Sequence, residues 1–188
     1  MRVVAGRHRG RSLRTPDDLA VRPTADRTRE ALFNILMSGK LSAEGNRRLP
    51  DARVLDAFAG TGALGLEALS RGAAHAVFME NYAPAIEICR ANIAALGEGA
   101  RSELLACDVL HPRAAAAPCD IVFLDPPYNQ GLAGKALAAL LKAGWIAPGT
   151  LLSLELMKSE PFEPPAGFSE LDARNYGKAK LLFLQYEG

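Results

Sequence analysis

Aromatic residues make up only 6% of the sequence, tryptophan occurs once and cysteine three times. Cys89, Cys107 and Cys119 are odd in number and widely spaced, with no CxxC pair and no histidine close enough to complete a zinc pattern. They read as buried reduced thiols, not as a disulfide framework or a metal cluster. The histidines His8, His75 and His111 are equally scattered, and neither GxSxG nor HExxH occurs. Metal-dependent and Ser-His-Asp chemistry therefore have no support. The 49% hydrophobic fraction is inflated by 33 alanines. No apolar run exceeds about six residues, where roughly 18 are needed to span a bilayer, so no membrane association is expected. The opening MRVVAGRHRGRSL has no apolar stretch or small-residue cleavage site and does not read as a secretory signal, which makes a cytoplasmic protein the expectation.

What is present is a chain of 188 residues, the length of one domain with a sizeable core. Its net charge of +1 hides an asymmetry. Residues 1–48 hold 11 Lys and Arg against 5 Asp and Glu, a charge of +6, and the rest carries −5. Arg2, Arg7, Arg9, Arg11 and Arg14 fall within the first 14 residues beside one histidine and no acid. That is the footprint of an arm that meets phosphates, although a solvated basic terminus has the same composition.

After residue 48, short apolar runs alternate with segments of helical period, the mark of βα units and a mostly parallel sheet. RVLDAF (53–58), HAVFME (75–80), SELLAC (102–107), DIVFLD (120–125) and TLLSLEL (150–156) read as strands. Helices are expected after Thr61, around Ile86, Cys89, Ile93 and Leu96, and around Leu137, Leu140 and Leu141. The tail RNYGKAKLLFLQYE carries a turn signal before a β-rich run and reads as an antiparallel pair closing the sheet. Ahead of this body, Ala31, Leu32, Ile35 and Leu36 form the stripe of a helix over about 25–38 with Thr24 as its N-cap. The segment with Gly6 and Gly10 reads as a hairpin. The expected layout is a single domain, 1–188: a basic arm or hairpin (1–20), a helix and connection (21–48), and a Rossmann-like core (49–188).

Two motifs carry chemistry. DAFAGTGALG (56–65) sits at a strand-to-helix turn and contains GxGxxG, and Glu80 follows Gly60 by 20 residues at the next strand's end, where a carboxylate grips a ribose diol. A dinucleotide would meet these features, but Asp56, four residues before Gly60, would sit badly beside its pyrophosphate. The cationic methionine end of S-adenosylmethionine would welcome it. Asp108, after the third strand, is placed to accept from an adenine amino group. The second motif is Asp125-Pro126-Pro127-Tyr128, directly after the apolar IVFL. A carboxylate there is expensive in a core and should project into the crevice at the strand ends. With Asp125 and the Pro126 carbonyl each accepting one N–H, an exocyclic base amine is drawn toward tetrahedral geometry, and its lone pair turns to an electrophilic methyl. Tyr128 would stack on an unstacked base.

These residues resemble the class I S-adenosylmethionine-dependent methyltransferases. RPTADRTREALFN (22–34), DAFAGTGALGLEALSRGA and FLDPPY more closely resemble the bacterial 16S ribosomal RNA guanine-N2 methyltransferases of the small-subunit methyltransferase D type. The resemblance implies a seven-stranded α/β sheet with an N-terminal hairpin and helix, and methyl transfer to the N2 amine of one guanine in 16S rRNA, within the small subunit or an assembly intermediate. It implies that Asp125, Pro126 and Tyr128 hold the amine, and that Asp56, Phe58, Gly60, Thr61, Gly62, Glu80, Asp108 and Thr24 serve S-adenosylmethionine. Arg22 and Thr24 would close the pocket, and Arg7, Arg9, Arg11, Arg14 and Arg22 would meet RNA. The expected state is a monomer. An N6-adenine methyltransferase acting on DNA or RNA would use the same DPPY logic, but DNA enzymes of that kind carry a sizeable recognition domain. A glutamine-N5 methyltransferase would place Asn before the prolines, and an RNA-binding module would have no use for the cofactor acids.

Overall fold

The computed structural model describes residues 1–16, 23–42 and 48–188, and for residues 23–26 the backbone alone. The apolar runs form parallel strands β1 (Arg53–Asp56), β2 (His75–Glu80), β3 (Ser102–Ala106), β4 (Ile121–Leu124) and β5 (Leu151–Met157). The tail adds β6 (Phe168–Tyr176) and β7 (Ala179–Tyr186), an antiparallel hairpin whose second strand pairs with β5. The sheet runs β3-β2-β1-β4-β5-β7-β6. Strand order therefore reverses between β1 and β4, the point where open α/β sheets bind ligands at the carboxyl ends of their strands.

Helices α1 (Pro23–Met37), α2 (Ala63–Ser70), α3 (Ala83–Leu96) and α4 (Leu132–Lys142) cover the sheet. The strand period of two divides the core. Val54, Phe78, Ile121, Phe123 and Phe183 pack with Leu32, Phe33, Leu36, Leu66, Leu69 and Ile93 on one face. Leu55, Val77, Met79, Val122 and Leu154 pack with Ala136, Leu137, Leu140 and Trp145 on the other. Phe33, with no exposed surface, seats α1 against Phe123 at 5.5 Å between ring centroids. Removing that ring would cost about 3–5 kcal/mol. α1 starts at Pro23, so Thr24 is its second residue and not the expected N-cap. A proline's fixed φ and missing N–H suit the first helical position, where no intrahelical acceptor is waiting. Arg22 lies outside the described residues, and so does the side chain of Thr24.

The basic N-terminus is a hairpin, closed by Leu13 N donating to Met1 O and Val3 N to Arg11 O, both at 3.0 Å. It is docked rather than free. Glu67 of α2, only 1% exposed, accepts from Val4 N at 2.8 Å, Ala5 N at 3.0 Å and Arg71 Nε at 2.7 Å. Ser70 Oγ accepts from His8 N at 3.0 Å. Glu98, past the end of α3, is equally buried and gathers Arg7, His8 and Arg101. Among the described residues, no helix is long and apolar enough to cross a membrane.

Candidate active site

A cleft of about 1330 Å³ opens at the carboxyl ends of β1, β2, β4 and β5. It exceeds the roughly 300–1,000 Å³ of a single small-molecule pocket, and so has room for two ligands side by side. Met1 and Thr15 of the N-terminal segment, Thr28 of α1 and Lys178 in the β6–β7 turn also line it.

The glycine turn forms the first half. Gly60 and Gly62 have φ of +52° and +79°, a conformation that side-chain-bearing residues rarely adopt. A Cβ at Gly62 would also lie 2.8 Å from Cys89 Sγ, and one at Gly65 only 2.3 Å from the Phe78 ring. Gly65 thus lets α2 lie directly on β2. Glu80 draws the turn inward: its Oε2 accepts from Gly60 N at 2.8 Å, while Oε1 accepts from Asn81 N at 2.9 Å and Tyr82 N at 2.8 Å. Three of its roughly four acceptor positions are filled and one on Oε2 is left for a hydroxyl donor. Phe58, Thr61, Glu80 and Asp108 all line the cleft. Asp108 spends Oδ1 on Leu110 N at 2.9 Å, and its Oδ2 lies 3.3 Å from His111 Nδ1.

Asp56 is placed differently from the expectation that it faces a cationic ligand. It is 1% exposed, does not line the cleft, and accepts from Gly65 N at 2.9 Å. Its carboxylate caps the start of α2 from behind the turn, the role a strand-end acid takes when its side chain points toward the helix and not out of the sheet. Burial pushes its carboxyl up to about 7, with the Glu80 charge adding to the rise and the Gly65 and Leu64 N–H groups opposing it. Asn92, which sequence reasoning missed, ties three segments together: Nδ2 donates to Thr61 O at 2.9 Å and Arg14 O at 3.1 Å, and Oδ1 accepts from Arg14 N at 2.7 Å. A buried amide among Cys89, Ile93 and Leu96 on the inner face of α3 is a readable signal for such a tie.

The DPPY segment forms the second half. Asp125 is exposed, but onto the cleft, alongside Pro126, Pro127 and Tyr128. Glu155 of β5, also missed, joins it there and accepts from the Tyr128 hydroxyl at 2.5 Å. Its signal was an acid inside the apolar TLLSLEL. Withdrawal from bulk water, followed by the charges of Glu155 and Asp56, pushes the Asp125 carboxyl well above the usual range. Burial likewise raises Glu155, against the opposing hydrogen bond from Tyr128.

Of the arginines expected to meet RNA, Arg7 is committed to Glu98, donating from Nε at 2.9 Å. Arg11 Nη2 donates to Ala95 O at 2.8 Å while remaining exposed, and Arg9 and Arg14 are exposed.

The family model described as Conserved hypothetical protein 95 matches residues 1–185. Ribosomal RNA small subunit methyltransferase D of Escherichia coli (strain K12) is 38% identical over 155 residues, covering 82% of this chain and 74% of that protein. The protein of the same name in Haemophilus influenzae is 33% identical over 181 residues, covering 94% and 89%. Among solved structures, a putative methyltransferase, yhhF, from Escherichia coli superposes with a TM-score of 0.82 at 34% identity, covering 100% of this chain and 98% of that one.

Proposed function

The chain belongs to the Conserved hypothetical protein 95 family and is a relative of the small-subunit rRNA methyltransferases D, and on that footing we propose that it methylates the N2 amine of a guanine in 16S rRNA, using S-adenosylmethionine. The observation that carries this reading is the DPPY segment, which lies on the same cleft as the glycine turn and Glu80. An amine trap next to a nucleoside cradle is what transfer to a base nitrogen needs. Glu80, with one acceptor position left, would hold the ribose of S-adenosylmethionine, Asp108 its adenine amine, and Phe58, Thr61 and the Gly60–Gly62 backbone the remainder. When bound, that cofactor supplies a sulfonium methyl, an electrophile that needs no metal. Asp56 acts as a positioning residue: it holds Leu64 and Gly65 at the head of α2 and so sets the glycine turn.

Asp125 accepts one N–H of the amine and the Pro126 carbonyl the other. Two acceptors on one nitrogen pull its lone pair out of conjugation with the ring and aim it along the line of displacement. A raised carboxyl suits Asp125 for taking the proton that the methylated nitrogen sheds. Tyr128, anchored through its hydroxyl to Glu155, presents its ring to the base. Arg9, Arg11 and Arg14 meet RNA phosphates beside the part of the cleft that Met1 and Thr15 line. The setting is the cytoplasm, on the small subunit or a particle assembling into it.

The test is transfer of labelled methyl from S-adenosylmethionine to small-subunit particles lacking the modification, followed by nucleoside analysis. N2-methylguanosine is expected. N6-methyladenosine alone, or no incorporation into any RNA, would sink the reading.

A further inference from the structure

Leu124 and Leu154 are partners in the β4–β5 register, so Asp125 and Glu155 leave neighbouring parallel strands side by side. Strand spacing sets them about 4.8 Å apart across the sheet. Both line the cleft with Pro126 and Pro127, which have no N–H to offer. Among the described residues, no ion pair joins a cation to either carboxylate. Among the described residues, the other charged side chains lining the cleft are Glu80, Asp108 and Lys178, and Met1 brings its terminal ammonium. Asp125, the Pro126 carbonyl and Glu155 Oε2 thus form a row of acceptors on this part of the floor. A ligand that fills this part of the cleft and displaces its water has to bring N–H groups to that row.

The four RNA bases differ in what they could bring. Guanine carries N1–H directly beside its N2 amine, an unbroken row of donors. The N6 amine of adenine is flanked by the N1 lone pair, and the N4 amine of cytosine by that of N3. Uracil has N3–H but no amine. Only guanine matches an acceptor row wider than one amine.

We propose that Glu155 is a specificity-determining residue of this site: its Oε2 accepts the N1–H of guanine while Asp125 and the Pro126 carbonyl hold the N2 amine. The assignment rests on the methyltransferase reading and gives it a reason for guanine. Glu155 Oε1 is occupied by the Tyr128 hydroxyl, which orients the carboxylate and leaves Oε2 for the base. Burial raises both carboxyls, with the Glu155 charge adding to the rise at Asp125 and the Tyr128 hydroxyl opposing it at Glu155, and an N–H row favours the charged forms in the same way that hydroxyl does. Adenine in this position would set a lone pair against a carboxylate, so selectivity arises from repulsion as well as attraction.

Guanosine monophosphate and 2-aminopurine riboside monophosphate separate the two ideas. The second keeps the N2 amine but has a lone pair at N1. Titrated by NMR into the protein saturated with S-adenosylhomocysteine, the guanine nucleotide should bind about 10- to 100-fold tighter. Glu155→Gln, whose amide donates to a bare N1, should bring the two within about threefold. It should bind S-adenosylhomocysteine as wild type does, which shows that the variant is folded. Tyr128→Phe keeps the carboxylate but loses the hydroxyl that orients it, so the preference should narrow without reaching the near-equality of Glu155→Gln. Equal affinities in the wild type, no measurable binding of the guanine nucleotide, or an unchanged ratio in Glu155→Gln overturns the assignment. None of these readouts uses turnover. A protein that methylates guanine N2 in particles but shows no preference has the proposed activity without this role for Glu155.

Discussion

Asp56→Asn should change how stability depends on pH. The Asp56 carboxyl lies near 7 in the folded protein against an ordinary 3.8, because burial disfavours its charged form. The folded state then binds more protons than the unfolded chain at every pH between those values. Stability from the protonated carboxyl is complete below 3.8, falls as pH rises toward 7, and is level above it. At about 1.4 kcal/mol for each factor of ten, the full loss is ~4 kcal/mol. Asparagine has no such titration and retains an oxygen for the N–H of Gly65. Urea denaturation of both proteins at pH 5 and pH 8 reads the effect together with the smaller one that the Asp56 charge exerts on Asp125. Between pH 5 and pH 8 only the part of that loss above pH 5 remains, so the wild-type advantage over Asp56→Asn should shrink by about 3 kcal/mol. Parallel profiles would mean that the carboxylate is ionised at no cost and that its bonds to the start of α2 outweigh its burial.

Four further outcomes follow. Gly65→Ala places a methyl 2.3 Å from the Phe78 ring and should lower stability by about 1–3 kcal/mol in thermal melts, with Phe78→Leu restoring part of it. Glu98→Ala removes the shared partner of Arg7, His8 and Arg101 and should cost ~3 kcal/mol by denaturation, with the hairpin becoming sensitive to trypsin. Asp125→Ala should abolish methyl transfer while calorimetry shows cofactor binding intact, and wild-type turnover should fall on acidification, as protonation removes the acceptor raised by its surroundings. Changing Arg9, Arg11 and Arg14 together to Ala should weaken RNA binding and reduce its salt slope by about 2–3, and an unaltered slope would assign these arginines to solvent.

The elements were readable where local pattern decides them. HAVFME is β2 over its full length, and Gly97 ends α3 as its position suggests. The start of α1 was misjudged because Thr24 is a good cap by type, but Pro23 already takes the first helical position. The side-chain errors share a different cause. A strand-end acid can point out of the sheet, as Asp125 does in line with its expectation, or back under the following helix, as Asp56 does, and nothing local to Asp56 reveals the second course. Glu155 matters only because β5 lies beside β4 in register, a pairing across the sheet that the spacing of apolar residues does not reveal. Arg7 reads as a free arginine in the sequence because Glu98, which holds it, lies 91 residues further along the chain.

That separation bears on how the protein is made. The residues that pin the hairpin, Glu67, Ser70 and Glu98, are all synthesised long after it. At about 5–20 residues per second, some 5–18 s pass between the appearance of Arg7 and that of Glu98. During that interval an arginine-rich segment without an acid among its first 14 residues lacks the partner that later holds Arg7. The buried glutamates thus act as a late clasp, tying Arg7 to the body of the domain once it exists and leaving Arg9, Arg11 and Arg14 on a fixed surface.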